Sequence, residues 1–219
     1  WDGEDVSVTE GALVDTTITG VSYNGATMSV TWTAAYAGTP VDPCGVTATT
    51  TVPIFDGDDQ GNQSLLRAYG QGDDWTNDGI GSAAGQPVST NLSTSNTSCV
   101  SNVATTTIDL TDEELATTAT KAIVALQGKA RLAPPSAARG KTMQVRSKTP
   151  VYEFVVGTGA LQPDPRRELV DTSKCLECHV GSLYQHGGNR VDNVEMCIMC
   201  HNEASNEQNV REDYGVDAS

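Results

Sequence analysis

The feature that most constrains this chain is a pair of Cys-x-x-Cys-His motifs in one short stretch, Lys174 to Asn202. They read Cys175-Leu176-Glu177-Cys178-His179 and Cys197-Ile198-Met199-Cys200-His201, and between them stands His186, the remaining one of three histidines. The pentapeptide is the attachment signature of a c-type haem: two thiols add to the two vinyl groups of one porphyrin, and the adjacent imidazole becomes an axial iron ligand. Cys175, Cys178, Cys197 and Cys200 are therefore the candidate thioether residues of two haems c, with His179 and His201 as proximal ligands. A segment built around two porphyrins is expected to be largely irregular or short-helical.

A zinc ribbon is the competing use of these cysteines. Eighteen residues separate Cys178 from Cys197, inside the zinc range, and four thiolates would close a tetrahedral site without the histidines. Against it, each second cysteine is followed at once by histidine. With histidine at about two per cent of residues, that double coincidence is rarer than about one in a thousand.

Counting ligands leaves a deficit. Two bis-imidazole haems need four histidines, and the chain has three. His186 is the candidate distal ligand of one haem, with Gly187 and Gly188 allowing backbone close to a porphyrin. The sixth ligand of the other haem has three sources: a histidine further along a longer chain, Met28 or Met143, or none, leaving a five-coordinate iron. Met196 and Met199 lie inside the attachment turn and cannot reach across the ring. A chain that continues beyond this sequence is the favoured source.

Charge narrows the partners. The formal net charge is -15, and so acidic a surface argues against nucleic acid and anionic membranes. Residues 1 to 140 carry sixteen Asp/Glu against five Lys/Arg, and residues 141 to 219 carry twelve against eight. No apolar run approaches the roughly twenty residues of a membrane-spanning helix, the longest being Ala122 to Leu126. Haem attachment and disulfide formation both belong to compartments outside the cytoplasm, so export is expected. Cys44 and Cys99, the two cysteines outside the motifs, form a candidate disulfide that would stabilise the fold by roughly 2 to 4 kcal/mol.

Residues 1 to 160 are expected to form a mainly β domain, either an immunoglobulin-like sandwich or a split barrel, because period-two alternation recurs between turn signals. Met28, Val30, Trp32, Ala34 and Tyr36 share one face of a strand, preceded by Ala12 to Val21 and a turn at Tyr23-Asn24-Gly25. Further strands are expected at Val46 to Phe55, Leu65 to Tyr69, Val103 to Leu110, Ala122 to Leu126 and Val151 to Val156. Gly81 to Ser101 reads as a long loop or a poorly ordered insertion, and Thr111 to Glu114 as a capping box opening a short helix. Asp56 to Asn62 resembles a calcium loop but lacks its closing glutamate, so an acidic turn is the better reading. Gly157 to Pro165 reads as a linker, after which residues 161 to 219 begin the haem segment.

At this point a resemblance becomes specific. Pro165 to Lys174 with the first motif, then Leu183-Tyr184-Gln185-His186-Gly187-Gly188-Asn189-Arg190 and the second motif, resemble the outer-surface decahaem cytochromes of metal-reducing bacteria, the OmcA/MtrC family. Gly72 to Trp75 and Leu126 to Lys129 are similar to that family's N-terminal region. The resemblance implies a β domain of split-barrel or immunoglobulin-like form followed by a multihaem domain with bis-histidine haems. It implies a lipid-anchored or secreted protein of the outer cell surface, or otherwise a periplasmic one. Its partners would be other multihaem cytochromes, an outer-membrane porin-cytochrome complex, flavins or minerals. Electron transfer, not catalysis on a bound substrate, is the expected role; a haem enzyme acting on a small oxidant at a five-coordinate iron is the alternative.

Overall fold

A computed structural model describes residues 6–24, 26–44, 63–72, 75, 77, 85–113, 115–132, 143–166, 170–179, 183–185 and 189–202. The alternation around Trp32 builds the first sheet. Strand β2 (Thr27–Tyr36) buries Met28, Val30, Trp32 and Ala34 on one face and leaves the threonines between them half exposed. Strand β1 (Val14–Asn24) runs antiparallel to it, from Asn24 opposite Thr27 to Val14 opposite Tyr36. Val14, Thr16 and Ile18 point inward until the register shifts between Ile18 and Gly20, after which Val21 takes the inward place. One extra residue in a bulge changes the phase of the strand without ending it.

The other edge of β2 pairs with β3 (Thr39–Val41) and β7 (Val103–Asp109), and β7 pairs with β6 (Thr97–Val100). The indole of Trp32 is fully buried and donates to Thr106 Oγ1 at 3.2 Å, so its polar atom is satisfied inside the core. A second antiparallel sheet, in the order β11 (Val151–Val155), β8 (Lys121–Gln127), β4 (Ser64–Gly70), β5 (Val88–Asn91), packs across the first. Leu65 and Tyr69 of β4, Val124 and Leu126 of β8, and Phe154 of β11 meet Ile18, Val30, Trp32 and Ile108 in the shared core. The architecture is thus two sheets face to face, with no closed barrel among the described residues.

Strands β4 and β8 are buried on both faces. Leu66 and Ala68 of β4 and Ile123 and Ala125 of β8 point away from the sandwich core into a second cluster with Trp75, Met196 and Met199. The second sheet is therefore a middle layer, with the other sheet on one side and the segment carrying the second Cys-x-x-Cys-His motif on the other. This is why these strands read as nearly continuous apolar runs.

A charged network crosses the sandwich core. Arg67, 1% exposed, lies on the inward face of β4 and meets Glu113, with Nε to Oε2 at 3.1 Å and Nη2 to Oε1 at 2.6 Å. Tyr69 donates its hydroxyl to Glu113 Oε2 at 2.7 Å. Burial and the adjacent carboxylate hold the Tyr69 hydroxyl well above its ordinary pKa, so it stays a donor.

Several sequence expectations change. Gly81 to Ser101 is not one long loop, since it contributes β5 and β6, paired with β4 and β7. At Thr111 the N–H and hydroxyl both donate to Asp109 Oδ1, at 2.9 and 2.5 Å, and the short helix runs from Leu115; Glu114, the last residue of the expected capping box, lies outside the described residues. The strand expected at Val46 to Phe55 and the acidic turn Asp56 to Asn62 lie outside the described residues. The glycine-rich run after β11 folds back along it, with Val155 N–H bonded to Ala160 O and Gln162 N–H to Glu153 O. Gly159 sits at φ 72° against the backbone of Val21, where a Cβ would collide with the carbonyl.

Candidate cofactor site

Both motifs lie on short helices with the same local geometry. Helix α3 (Thr172–Leu176) starts at Asp171, whose Oδ1 accepts from Ser173 N at 2.9 Å. It carries Cys175, and the turn beyond it carries Cys178 and His179, both of whose N–H groups donate to Cys175 O. Helix α4 (Val194–Cys200) starts at Asn193, whose Oδ1 accepts from Met196 N at 3.3 Å. His201 N–H donates to Cys197 O at 2.9 Å, matching the His179 to Cys175 bond of 2.9 Å. A helical turn brings residues i and i+3 to one face, so each motif presents two thiols side by side with an exposed imidazole next to them.

The six cysteines sort cleanly. Cys44 and Cys99 form a disulfide, with Cα atoms 5.8 Å apart, while none of Cys175, Cys178, Cys197 and Cys200 is in a disulfide. A four-thiolate zinc site needs its sulfurs about 4 Å from one another. No three of the four motif thiols lie within 4.8 Å; among the described residues the one such donor group is Asp42, Cys44 and Cys99, whose sulfurs are bonded to each other.

The two motifs differ in their surroundings. Helix α3 buries none of its residues, and Cys178 and His179 are exposed. Helix α4 buries Met196 and Met199 completely against the second sheet, and Cys200 is 8% exposed. Burial raises the thiol pKa of Cys197 and of Cys200, with the charge of Arg190 acting in the opposite direction. Cys197 Sγ donates to Asn193 O at 3.3 Å.

Polar bonds from the sandwich fix α4 at both ends. At its start, Asn193 Nδ2 donates to Thr149 O at 2.8 Å, and Val191 N–H to Thr149 Oγ1 at 3.1 Å. At its end, Asn77 Nδ2 and Asn202 Nδ2 both donate to Met199 O at 3.0 Å, and both reach Gly85 O. These amides satisfy a carbonyl that a helix end otherwise leaves without a partner.

Between the motifs, strands β12 (Tyr184–Gln185) and β13 (Arg190–Val191) pair antiparallel. His186 lies outside the described residues, between these two strands. A groove of about 440 Å³ separates the first turns of the two motif helices, lined by Asp171, Ser173 and Leu176 on one side, Asn193 and Glu195 on the other, and Lys148. Its size falls in the roughly 300 to 1,000 Å³ range of small-molecule sites, although no motif thiol lines it.

Of the methionines considered as ligands, Met28 is fully enclosed in the sandwich core and has no path to an iron; Met196 and Met199 are likewise enclosed, in the second cluster. The Met143 side chain lies outside the described residues. Sequence reasoning missed Asn77 and Asn202, and a buried asparagine outside any motif leaves no signal in a single sequence.

No protein-family model and no curated protein sequence matches this chain. Its backbone is similar to the crystal structure of MtrC from Shewanella baltica, with a TM-score of 0.58 at 15% identity, over 91% of this chain and 36% of that one. It is similar also to the crystal structure of the outer membrane decaheme cytochrome OmcA, with a TM-score of 0.51 at 12% identity, over 84% of this chain and 28% of that one. The chain shares its fold with MtrC and OmcA. It spans about a third of the length of either, and at such identities the likeness is one of fold. The 91% match to MtrC leaves unmatched a share smaller than residues 161 to 219, so it takes in part of the segment after the sandwich as well.

Proposed function

We propose that this chain is the β domain and the opening haem segment of a multihaem c-type cytochrome that moves electrons at the outer cell surface. One observation carries the reading: the two cysteines outside the motifs are paired with each other, which leaves the four inside as thiols outside any disulfide, in two matching helical turns, each followed by an exposed histidine. Cys175 with Cys178, and Cys197 with Cys200, would hold one haem c each through thioether bonds. His179 and His201 would supply the proximal imidazoles and His186 a distal one. Bound there, haem c supplies one-electron exchange between ferric and ferrous iron, at a potential the protein tunes through axial ligand, burial and hydrogen bonds.

The division of labour follows from the packing. Residues 1 to 160 act as a rigid support, and residues 161 to 219 carry the cofactors. The sandwich fixes the second motif and leaves the first on the surface, so the first is suited to exchange with outside partners. Those partners are other multihaem cytochromes, a porin-cytochrome complex, or soluble and mineral acceptors, with the protein exported and lipid-anchored or secreted. The fold shared with MtrC and OmcA supports this placement.

The test is the intact mass of protein matured in a host that attaches haem c, together with haem staining after denaturation. The expected mass is that of the chain plus two haems, with staining retained in the denaturing gel. An apoprotein mass with no retained stain would overturn the assignment, and zinc in place of iron on metal analysis would replace it.

A further inference from the structure

From Leu115 to Tyr152 the chain carries no Asp or Glu and seven Lys/Arg: Lys121, Lys129, Arg131, Arg139, Lys141, Arg146 and Lys148. In a protein of net charge -15 with 28 carboxylates, this is a marked reversal. The fold turns much of the stretch into one surface. Strands β9 (Ala130–Leu132) and β10 (Met143–Val145) pair antiparallel, Val145 opposite Ala130 and Gln144 opposite Arg131. Ala130, Leu132 and Val145 are fully buried, and Ser147 and Thr149 continue the inward side of the second strand. By the two-residue period of extended chain, Lys129, Arg131, Gln144, Arg146 and Lys148 lie on the outward side. Lys148 is exposed and the other four are half-buried.

This surface adjoins the motif-bearing segment. Gly128 N–H donates to Asn189 O at 2.8 Å, and Arg190 Nε donates to Gln127 Oε1 at 2.9 Å. The Arg146 guanidinium lies 3.6 Å from the ring centroid of Tyr184, which is 41% exposed, so the two hairpins form a continuous face. Arg190 joins the same cations from β13. Among the described residues, the acids on elements that adjoin this face are Glu10, on the helix Val6–Gly11 whose Ser7 O accepts from Arg146 N–H at 2.9 Å, and Asp171, Asp192 and Glu195, around the groove that Lys148 lines.

We infer that the outward face of β9 and β10 is the docking surface for a carboxylate-rich redox partner protein. The inference deepens the proposed electron-transfer role and rests on it for the partner's redox character. Charge complementarity selects the occupant. A continuous anionic membrane meets the field of the whole molecule, which is strongly negative and repels it. A compact carboxylate cluster on a protein meets chiefly the charges within a Debye length, about 8 Å at physiological salt, and those on the outward side of these strands are Lys129, Arg131, Arg146 and Lys148. Encounter complexes between electron carriers are small and steered by charge, and a partner seated here would stand beside the strands that flank His186.

The experiment uses the full chain and two probes, immobilised poly-L-glutamate and phosphatidylglycerol vesicles, over a range of ionic strength. The variant Lys129→Gln/Arg131→Gln/Lys148→Gln removes charge at three outward positions, and Lys129→Arg/Arg131→Lys/Lys148→Arg keeps it. The inference expects salt-sensitive binding to poly-L-glutamate, at least tenfold weaker in the glutamine variant and unchanged in the charge-keeping one. Equal binding by the glutamine variant, no binding by the native chain, or stronger binding to the vesicles would each overturn it, the last in favour of a membrane. Circular dichroism confirms that both variants fold. Loss of haem staining with charge-dependent binding retained would sink the cytochrome reading and leave the docking surface standing.

Discussion

Asn77 of the sandwich donates its side-chain amide to Met199 O at 3.0 Å, and its Oδ1 accepts from Tyr69 N at 2.9 Å. One buried side chain thus ties strand β4 to the turn that holds Cys200 and His201. Asn202 shares the work, donating to the same Met199 carbonyl and to the same Gly85 carbonyl. The support for the second motif is a small polar network at the edge of an apolar cluster, and such a network is sensitive to the loss of any one member.

Asn77→Ala leaves Tyr69 N–H buried without an acceptor, while Asn202 still covers the two carbonyls. The expected cost is about 1 to 3 kcal/mol. Asn202→Ala alone should cost less, because Asn77 remains as donor. Together they strip both carbonyls, so the double variant should lose more than the sum of the singles. Urea unfolding of all three variants checks this; strict additivity would show that the two amides do not substitute for each other.

The Arg67–Glu113 pair makes a separate prediction. Glu113→Ala leaves a buried guanidinium and the Tyr69 hydroxyl unpaired, at an expected cost of about 3 to 5 kcal/mol. Arg67→Met/Glu113→Leu removes both charges, and its loss should be well below that of Glu113→Ala. Equilibrium unfolding of the two variants decides; a double variant no better than the single would mean that the cost lies in packing and not in an orphaned charge.

How much was legible follows from these residues. The strand from Met28 to Tyr36 was readable because one face is buried and one is not, which is what a two-residue period reports. Strands β5 and β6 were not, since Ser89, Thr90, Asn91 and Ser98 hold their places through backbone pairing, and the turn between β6 and β7 uses Ser101 and Asn102 at φ 52° and 65°, with no glycine to mark it. Glu113 looked like part of a helix cap because a local pattern cannot show an arginine 46 residues away. That each pair of motif cysteines falls within one turn was legible from their spacing. The burial of Met196 and Met199 was not, because the pattern that places the thiols says nothing about what the other side of the helix touches.

The disulfide should be separable from haem attachment. Closing a 55-residue separation stabilises the fold by about 4 kcal/mol on the chain-entropy estimate. Cys44→Ala/Cys99→Ala is therefore expected to unfold at lower denaturant while keeping two haems by intact mass. A haem count that fell with the disulfide would place Cys44 and Cys99 in the maturation of the motifs, against the separation described above.

Alkaline pH should act through Tyr23. Burial pushes its hydroxyl from the ordinary value of 10.0 up to about 12. A folded-state pKa above the unfolded one means that the folded chain holds the proton more tightly. The resulting stability is fully present below pH 10 and is lost as pH rises from there through about 12. Tyr69 shifts the same way, chiefly through burial and then through the Glu113 charge. Stability measured across this window should fall less steeply in Tyr23→Phe than in the native chain; identical slopes would remove Tyr23 as a cause.

The asymmetry of the two motifs carries the last prediction. Met199 is fully buried in the cluster that joins α4 to the second sheet, so Met199→Ala should cost about 2 to 5 kcal/mol, as large-to-small core changes do. Leu176, the apolar residue between the two cysteines of the first motif, stands where the second motif has Ile198, and α3 buries none of its residues, so Leu176→Ala should cost under about 1 kcal/mol. On the haem-loaded protein, Met199→Ala should also shift the potential of one haem only, because a looser Cys200 to His201 turn admits water to one site and leaves the exposed site as it was. Redox titration of the two variants distinguishes the cases: equal effects from Leu176→Ala and Met199→Ala, on stability and on potential alike, would mean that the sandwich does not favour the second motif.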